Sequence, residues 1–448
     1  MLGESRLREI AERALRASSA DQTEVLVNSG QTDLTRFAVN TIHQNVTETN
    51  LGVRVRVISD KRVGVASGNN PSDEGIERLV EKAQHAASFQ KENPEFVSLP
   101  TAEASSSVDA FVEATAQTTP EERADGVGKI LRHARENGLE AAGAFSTESN
   151  EFLVANSLGV RAYHAGTLAS VSTVVMGETS SGYAADVSTD VGTLDLDGVG
   201  ALAVDKALRS VDPGPVEPGE YTVILEAPAA NTMLFFLGVM GLGALSLQEK
   251  RSFMAGKLGE KITDERISIW DDGRSPDGIP ISIDFEGIPK QPVSLIENGV
   301  AKGVVYDSFT AGREEGKAST GHALPSPNLF GPIPINLFMA PGDATVEEMI
   351  ASTPRGILVT RFHYTNPLHP VKTIITGMTR DGTFLIENGK VTRPLCNLRF
   401  TQSIVEALSK VEMIGSQAQL AQSPFGAAAT SAPALKVQGF RFTGTTEF

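Results

Sequence analysis

The stretch Val53-Arg54-Val55-Arg56-Val57 alternates apolar and charged side chains residue by residue. Successive side chains of a β-strand point to opposite faces of a sheet, so this run predicts a strand with one buried and one wet face. A helix is predicted over residues 7–15, where apolar residues recur at helical spacing, and a second helix is predicted to open at Ser72. Two further strands are predicted, at 24–28 and at 35–40. Residues 1–92 therefore predict a unit of helix, strands and helix.

The same order of elements recurs in residues 93–211. The segment Thr119–Glu122 has the spacing of a capping box with a proline at the first helical position, which predicts the start of a helix, and Gly138 predicts its end. Strands are predicted over about residues 141–188, and a closing helix follows them. The first half of the chain thus predicts two α-β-α repeats, the second of which forms a middle domain.

The stretch 212–219 is rich in proline and glycine, which is typical of a hinge between domains. Beyond it, Leu295-Ile296-Glu297-Asn298-Gly299 and Leu385-Ile386-Glu387-Asn388-Gly389 repeat the same five residues. Each Asn-Gly pair suits the type I′ turn of a hairpin. Residues 220–448 are therefore predicted to form mainly antiparallel, barrel-like β-sheet, and the fold class predicted for the whole chain is α+β.

The composition excludes some classes of binding partner and indicates the cellular compartment. The 448 residues include 55 acidic and 39 basic side chains, and the resulting net charge of -16 repels nucleic-acid backbones and anionic membrane surfaces. The single cysteine, Cys396, excludes an intrachain disulfide and favours a reducing compartment. No stretch approaches the roughly 20 apolar residues that span a bilayer, and the first residues lack the apolar core of a secretory signal. We therefore expect a soluble, cytoplasmic protein.

Motifs of catalysis are nearly absent. The sequence contains no His-Glu-x-x-His helix and no Gly-x-Ser-x-Gly turn. His363 and His369 flank a segment with prolines, and the other nearby metal-ligand candidates are Asp381 and Glu387. A hydrolase site around these two histidines stays open as an alternative. Cys396 is predicted to be a buried structural thiol within a strand.

Several segments resemble one known family, in the same order along the chain. They are Pro218–Leu225, Ser252–Phe253, Asp284–Pro289, Leu295–Gly303, Ser319–His322 and Gly356–Phe400, with Asn156–Gly159 in the first half. Together they resemble the TldD/PmbA (TldD/TldE) metallopeptidase family, and the resemblance covers nearly the whole chain.

The resemblance also indicates what this chain lacks. The active members of the family resemble metalloproteases whose zinc is held by a His-Glu-x-x-x-His helix and a cysteine near the C-terminus. The resemblance places Phe235, Phe236 and Met240 at the ligand and base positions of that helix, and no cysteine follows Cys396. It implies a TldE-type subunit with no catalytic residues, metal or other cofactor of its own, the zinc being expected in a partner.

The partners that the resemblance implies are a TldD-like zinc peptidase subunit, as a heterodimer, or a second copy in a homodimer. The complex would act in proteolysis and maturation of unfolded or ribosomally made peptides, and extended peptides commonly add as a strand to a sheet edge. Ser319, Thr320, Gly321 and His322 are predicted to line a peptide groove or an interface, with a tight structural turn as the alternative. A stand-alone peptide-binding scaffold is the other function left open.

Overall fold

The structure is a computed structural model that describes residues 1–104, 107–423 and 429–446. The helices of the first half are α1 (Glu4–Ala17), α2 (Asp73–Ser88), α3 (Glu113–Ala116), α4 (Pro120–Glu136) and α5 (Leu196–Arg209). Its strands are β1 (Gln22–Ala38), β2 (Thr41–Ser59), β3 (Arg62–Gly68), β4 (Glu140–Asn156), β5 (Arg161–Met176) and β6 (Ser181–Ser188).

The second half contains five helices and eleven strands within the described residues. The helices are α6 (Ala227–Gly241), α7 (Ala244–Gln248), α8 (Ser308–Gly312), α9 (Val346–Ala351) and α10 (Ile404–Leu408). The strands are β7 (Gly219–Leu225), β8 (Ile269–Asp271), β9 (Val293–Glu297), β10 (Val300–Ala301), β11 (Asn336–Met339), β12 (Arg355–His369), β13 (Ile374–Glu387), β14 (Lys390–Pro394), β15 (Leu398–Ser403), β16 (Val411–Gln422) and β17 (Ala429–Thr445). The predicted α+β class is confirmed.

The two repeats of the first half share one antiparallel sheet. Its strand order is β3-β2-β1-β4-β5-β6, so β1 and β4 join the repeats at the centre. Val53, Val55 and Val57 are buried against α1 and α2, as their alternation predicts. The helix expected after Thr119 begins with the predicted capping box, and Gly138 follows its end with a φ of 66°.

In each repeat the closing helix packs directly against a glycine of the last strand: α2 packs on Gly64 of β3, and α5 packs on Gly182 of β6. A Cβ atom at Gly64 would lie 2.1 Å from the carbonyl oxygen of Ala83, and one at Gly182 would lie 2.1 Å from that of Ala203. Neither position has room for a methyl group, since the obstacle is helix backbone rather than a movable side chain. The two halves of the sheet therefore repeat a packing contact as well as an order of elements.

Gly182→Ala is expected to lower the free energy of unfolding by about 2–3 kcal/mol, because α5 must shift away from β6. Urea denaturation followed by circular dichroism measures the loss. Gly128→Ala is the matched control: its Cβ atom would meet nothing within 4 Å on the exposed face of α4. The control should gain about 0.5–1 kcal/mol from helix propensity. Equal stability of the two variants would contradict this close packing.

One sequence prediction about this sheet is wrong. The segments 24–28 and 35–40 were expected to be separate strands, but a single strand, β1, runs from Gln22 to Ala38. Gly30 continues the ladder because it pairs with Asn50 of β2 on one side and with Asn150 of β4 on the other. The ladders with β2 and β4 thus keep the backbone extended around Gly30, although the local composition there favours a turn.

The main sheet of the second half closes on itself. Because β17 pairs with both β15 and β7, strands β7, β12, β13, β15 and β17 form a ring. Most pairs are antiparallel, while β7–β12 and β11–β17 are parallel. The Asn298-Gly299 and Asn388-Gly389 pairs have positive φ at both residues, as a type I′ turn requires.

Helix α6 lies against one face of this ring. Val223 and Leu225 of β7 are buried in the same apolar cluster as α6, whereas Ile224 points to the other face and packs with Met349 of α9. Because α6 is apolar all around its circumference, it is buried on most sides. No helix in the described part of the chain is long and apolar enough to cross a membrane.

Candidate functional site

A cleft of about 600 Å³ lies between the two halves of the molecule. One wall consists of β5 and β6, and the other of α6, β12 and β16. Strand β6 is the edge of its sheet, and β16 pairs with β17 alone among the described strands. Both walls therefore present strand edges, where an extended polypeptide can add by backbone hydrogen bonds.

The zinc-motif positions assigned by the family resemblance lie on α6. Phe235 and Phe236 line the cleft, with their ring centroids 5.3 Å apart in an edge-to-face arrangement, and Met240 is buried one turn further on. These side chains offer no imidazole or carboxylate, so the positions do not fit a zinc ion. Within residues 1–104, 107–423 and 429–446, no group of three or more His, Cys, Asp and Glu side chains is placed to hold a metal.

Four residues that we call the cleft latch connect the two walls: Ser181, Tyr183, Arg361 and Asp381. Arg361 donates to Oδ2 of Asp381 from Nε at 2.7 Å and also from Nη2, while Ser181 donates to Oδ1 at 2.7 Å. The guanidinium carbon of Arg361 lies 4.1 Å from the centre of the Tyr183 ring. The side chain of Asp381 is only 1% exposed, so this carboxylate joins β6 to β12 and β13 out of contact with water.

The structure does not bring the two candidate histidines together. His363 and His369 lie six residues apart on β12, which corresponds to roughly 15–20 Å along an extended strand. Nδ1 of His369 accepts the backbone N–H of Lys372 at 3.4 Å. Asp381 belongs to the cleft latch, and Glu387 accepts a hydrogen bond from Thr392. His363 lines the cleft without the other three.

The segment Ser319–His322 lies outside the helices and strands and is not among the described residues that line the cleft. Gly321 has a φ of 74°, and the His322 side chain is fully buried. Nε2 of His322 lies 2.7 Å from Oδ1 of Asp271, and Nδ1 lies 2.9 Å from Oγ1 of Thr320. Burial lowers the pKa of His322, so the ring is neutral and donates from Nε2. The groove or interface role of this segment stays a prediction.

A second buried contact between the two halves centres on Arg56. Its Nη2 donates to Glu24 of β1 at 2.6 Å and to Glu286 at 3.0 Å. Burial raises the pKa of Glu24 to about 7, and burial together with Glu286 raises that of Asp284 to about 7. We call Glu24, Arg56, Asp284 and Glu286 the junction cluster.

One prediction about β2 is wrong at the junction cluster. The face of β2 that carries Arg54 and Arg56 was predicted to be exposed to solvent. The segment 281–290 covers that face and buries Arg56, together with apolar side chains that include Leu26, Val154 and Ile283. Alternation alone could not show this, because a second layer on the sheet comes from a distant part of the chain. The acidic residues of Asp284–Pro289 were the available signal.

Glu24→Gln is expected to flatten the dependence of stability on pH. The pKa of Glu24 is about 7 in the folded protein against an ordinary 4.5, so the folded state holds an extra proton between these values. This contribution to stability is present at acidic pH and is lost as the pH rises through about 7, by about 3 kcal/mol at most. Urea denaturation at pH 5 and pH 8 measures the loss, with the exposed Glu48→Gln as control. Parallel pH profiles for wild type and Glu24→Gln would contradict the assignment.

Cys396 lies between β14 and β15 rather than within a strand, and it is half-buried. Its Sγ donates to the carbonyl oxygen of Pro213 at 3.4 Å, and its backbone N–H donates to that of Gly214 at 2.9 Å. The residue thus fastens the proline-rich stretch 212–219 to the second half. The predicted strand position is wrong because the ladder is interrupted at 395–397.

Three family models match most of the chain. The PmbA/TldA metallopeptidase domain 1 matches residues 23–87, the central domain matches residues 102–211, and the C-terminal domain matches residues 218–444. Crystallographic TldE from Thermococcus kodakarensis has the same fold, with a TM-score of 0.87 and 23% identity over 98% of this chain and 100% of that one.

Two curated relatives are metalloproteases. The metalloprotease TldD homolog of Haemophilus influenzae is 27% identical over 221 residues, which is 49% of this chain and 45% of that protein. A metalloprotease of Methanothermobacter thermautotrophicus is 26% identical over 244 residues, which is 53% of this chain and 52% of that protein. The match spans about half the length of each relative. Since the C-terminal model alone covers half of the sequence, this chain belongs to the PmbA/TldA metallopeptidase family.

Proposed function

We propose that this chain is a noncatalytic TldE-type subunit that holds an extended peptide in its cleft and leaves hydrolysis to a zinc-bearing, TldD-like partner. The observation that carries the proposal is the position of Phe235 and Phe236, which line the cleft where the resemblance assigns the zinc motif. Aromatic rings there give apolar contact to peptide side chains but cannot activate a water molecule.

The cleft has the properties that an extended polypeptide requires. Strands β6 and β16 present backbone edges on opposite walls. In the described lining, Arg361 is the only lysine or arginine, and Asp381 compensates its charge. Binding through the backbone is tolerant of sequence, which suits the unfolded or ribosomally made peptides that we propose as substrates.

A peptidase assay of three samples tests the proposal. The samples are this chain, the TldD-like subunit from the same source, and an equimolar mixture of the two. We expect the chain alone to be inactive, the mixture to exceed the partner alone, and the two proteins to co-elute from a sizing column. Activity of the isolated chain, or failure to form any complex, would overturn the assignment.

The metal content of the isolated chain provides an independent prediction. After expression with zinc, we expect substoichiometric metal by mass spectrometry, because the zinc-motif positions offer no ligand atoms. The double substitution His363→Ala and His369→Ala should leave this value unchanged, since the two rings do not converge. Stoichiometric zinc that disappears in the double variant would instead favour the hydrolase alternative.

A stand-alone peptide-binding scaffold is the second candidate. It is favoured by the fact that both walls of the cleft belong to a single chain, so peptide binding does not require a partner. Peptide capture by this chain without any stable association with a TldD-like subunit would support it.

A further inference from the structure

Two polar atoms of the cleft lining are buried without a hydrogen-bond partner among the described residues. They are Oδ1 of Asn231 on α6 and Oγ1 of Thr365 on β12. A buried polar atom without a partner is costly, and in native proteins it calls for an explanation such as a ligand or a bound water. Both atoms belong to the same cleft, one on each of two adjoining elements.

The orientation of the Asn231 amide follows from its surroundings. Asn231 is 3% exposed, and its Nδ2 donates to the carbonyl oxygen of Gln419 on β16 at 2.8 Å. Turning the amide over would place Oδ1 against that carbonyl oxygen, so that two acceptors would face each other. Oδ1 is therefore the amide atom without a hydrogen-bond partner among the described residues, and it can accept from an N–H or O–H donor.

The charges of the cleft lining disfavour an acidic ligand group and are compatible with an uncharged donor. Arg361 is paired with Asp381, and the carboxylate of Asp186 accepts the backbone N–H groups of Val187 at 2.9 Å and of Asp195 at 3.0 Å. An acidic group of a ligand would therefore find no unpaired cation in these side chains, and the Asp186 carboxylate already accepts two backbone N–H groups. A peptide amide supplies an uncharged N–H donor.

Residues of the same cleft offer contacts for the other groups of a bound peptide. Phe235 follows one helical turn later on α6, so the amide and the ring lie on the same side of the helix. Thr365 lies at the break in register between His363 and Asn366, where β12 leaves its ladder with β13. An aromatic ring and two polar atoms thus line the same cleft.

We propose that Oδ1 of Asn231 accepts a hydrogen bond from one backbone N–H of an extended peptide and so fixes the register of that peptide in the cleft. The neighbouring apolar side chain of the peptide packs on Phe235, and the Thr365 hydroxyl takes a second polar group. The inference rests on the proposed peptide-binding function. Because Oδ1 is covered by its neighbours, binding includes a local shift of lining side chains and is slower than diffusion allows.

The test uses the full chain and a random pool of decapeptides blocked at both ends. Peptides that co-elute with the wild type are identified by mass spectrometry, and the best binder is resynthesised with a single N-methyl group at each amide in turn. We expect methylation of one amide to weaken binding to the wild type about tenfold, as the loss of one buried hydrogen bond does. Asn231→Leu should bind the unmodified peptide about tenfold more weakly and be insensitive to methylation of that amide.

A matched control lies on the same helix. Thr232 also lines the cleft, but its hydroxyl donates to the carbonyl oxygen of Pro228 at 3.0 Å within α6. Thr232→Val should keep the sensitivity to methylation that Asn231→Leu loses, whatever its affinity for the unmodified peptide. Asn231→Ala replaces the leucine variant if the latter unfolds.

The outcomes separate the inference from the function on which it rests. If folded Asn231→Leu binds peptides as tightly as the wild type, or if methylation weakens both proteins equally, a buried water satisfies Oδ1 and the inference is wrong while peptide binding stands. If the wild type retains no peptide from the pool, the proposed function fails and the inference fails with it.

Discussion

Arg56→Met is expected to lower the free energy of unfolding by about 3–5 kcal/mol, the usual cost of removing one partner from a buried ion pair. Arg56 is the donor that both Glu24 and Glu286 share, and the two carboxylates are 6% and 8% exposed. Without the guanidinium they would repel each other in a space that water reaches poorly. The first sheet and the 281–290 segment would lose their charged contact.

The loss should depend on pH, which distinguishes it from a simple packing defect. At pH 8, above the raised pKa of Glu24, this carboxylate is ionised, whereas at pH 5 it takes up a proton. We therefore expect Arg56→Met to be less destabilising at pH 5 than at pH 8 in urea denaturation. Arg62→Met, which breaks an exposed pair with Glu92, is the control and should cost no more than about 1 kcal/mol. Equal losses at both pH values would contradict this account.

Asp381→Ala is expected to cost about 3–5 kcal/mol and to loosen the cleft, because it leaves the Arg361 guanidinium unpaired in a mostly buried position. The same substitution removes the acceptor of Ser181, so β6 loses one hydrogen bond to the second half and keeps the one that Gln419 donates to the carbonyl oxygen of Ala185. Hydrogen exchange should become faster in β6 and in the 361–366 part of β12, while β1 and β4 keep their protection.

Glu387→Ala is the matched control for the latch. It lies on the same strand, is exposed, and accepts its hydrogen bond from Thr392 on the neighbouring strand β14. This control should leave exchange in β6 unchanged. Unaltered exchange of β6 in Asp381→Ala as well would show that the latch does not hold the two walls together.

The sequence predicted those parts of the fold that local chemistry determines. The capping box at Thr119–Glu122, the buried valines of β2 and the two Asn-Gly turns each depend on neighbours within a few residues, and all are confirmed. Strand β1 was divided in two because its continuity depends on β2 and β4, which supply the ladder on either side of Gly30.

The candidate site could be predicted only in part, for the same physical reason. The family resemblance singled out Phe235 and Phe236, and both line the cleft. Asn231, Asp381 and Arg56 owe their importance to burial and to partners far along the chain, which no local pattern shows. Arg56 even occupies a position that alternation assigns to solvent.

The ring that β17 closes has a consequence for the order in which the protein can fold during synthesis. All six strands of the first sheet lie within residues 22–188, so that sheet can form while the ribosome is still making the second half. Leu225 of β7, by contrast, pairs with Leu435 of β17, and the parallel partner of β7 begins only at Arg355. Until those residues emerge, the apolar helix α6 has an incomplete sheet beside it. Contacts of such wide sequence separation form slowly, so α6 is expected to stay exposed longer than the apolar faces of the first sheet.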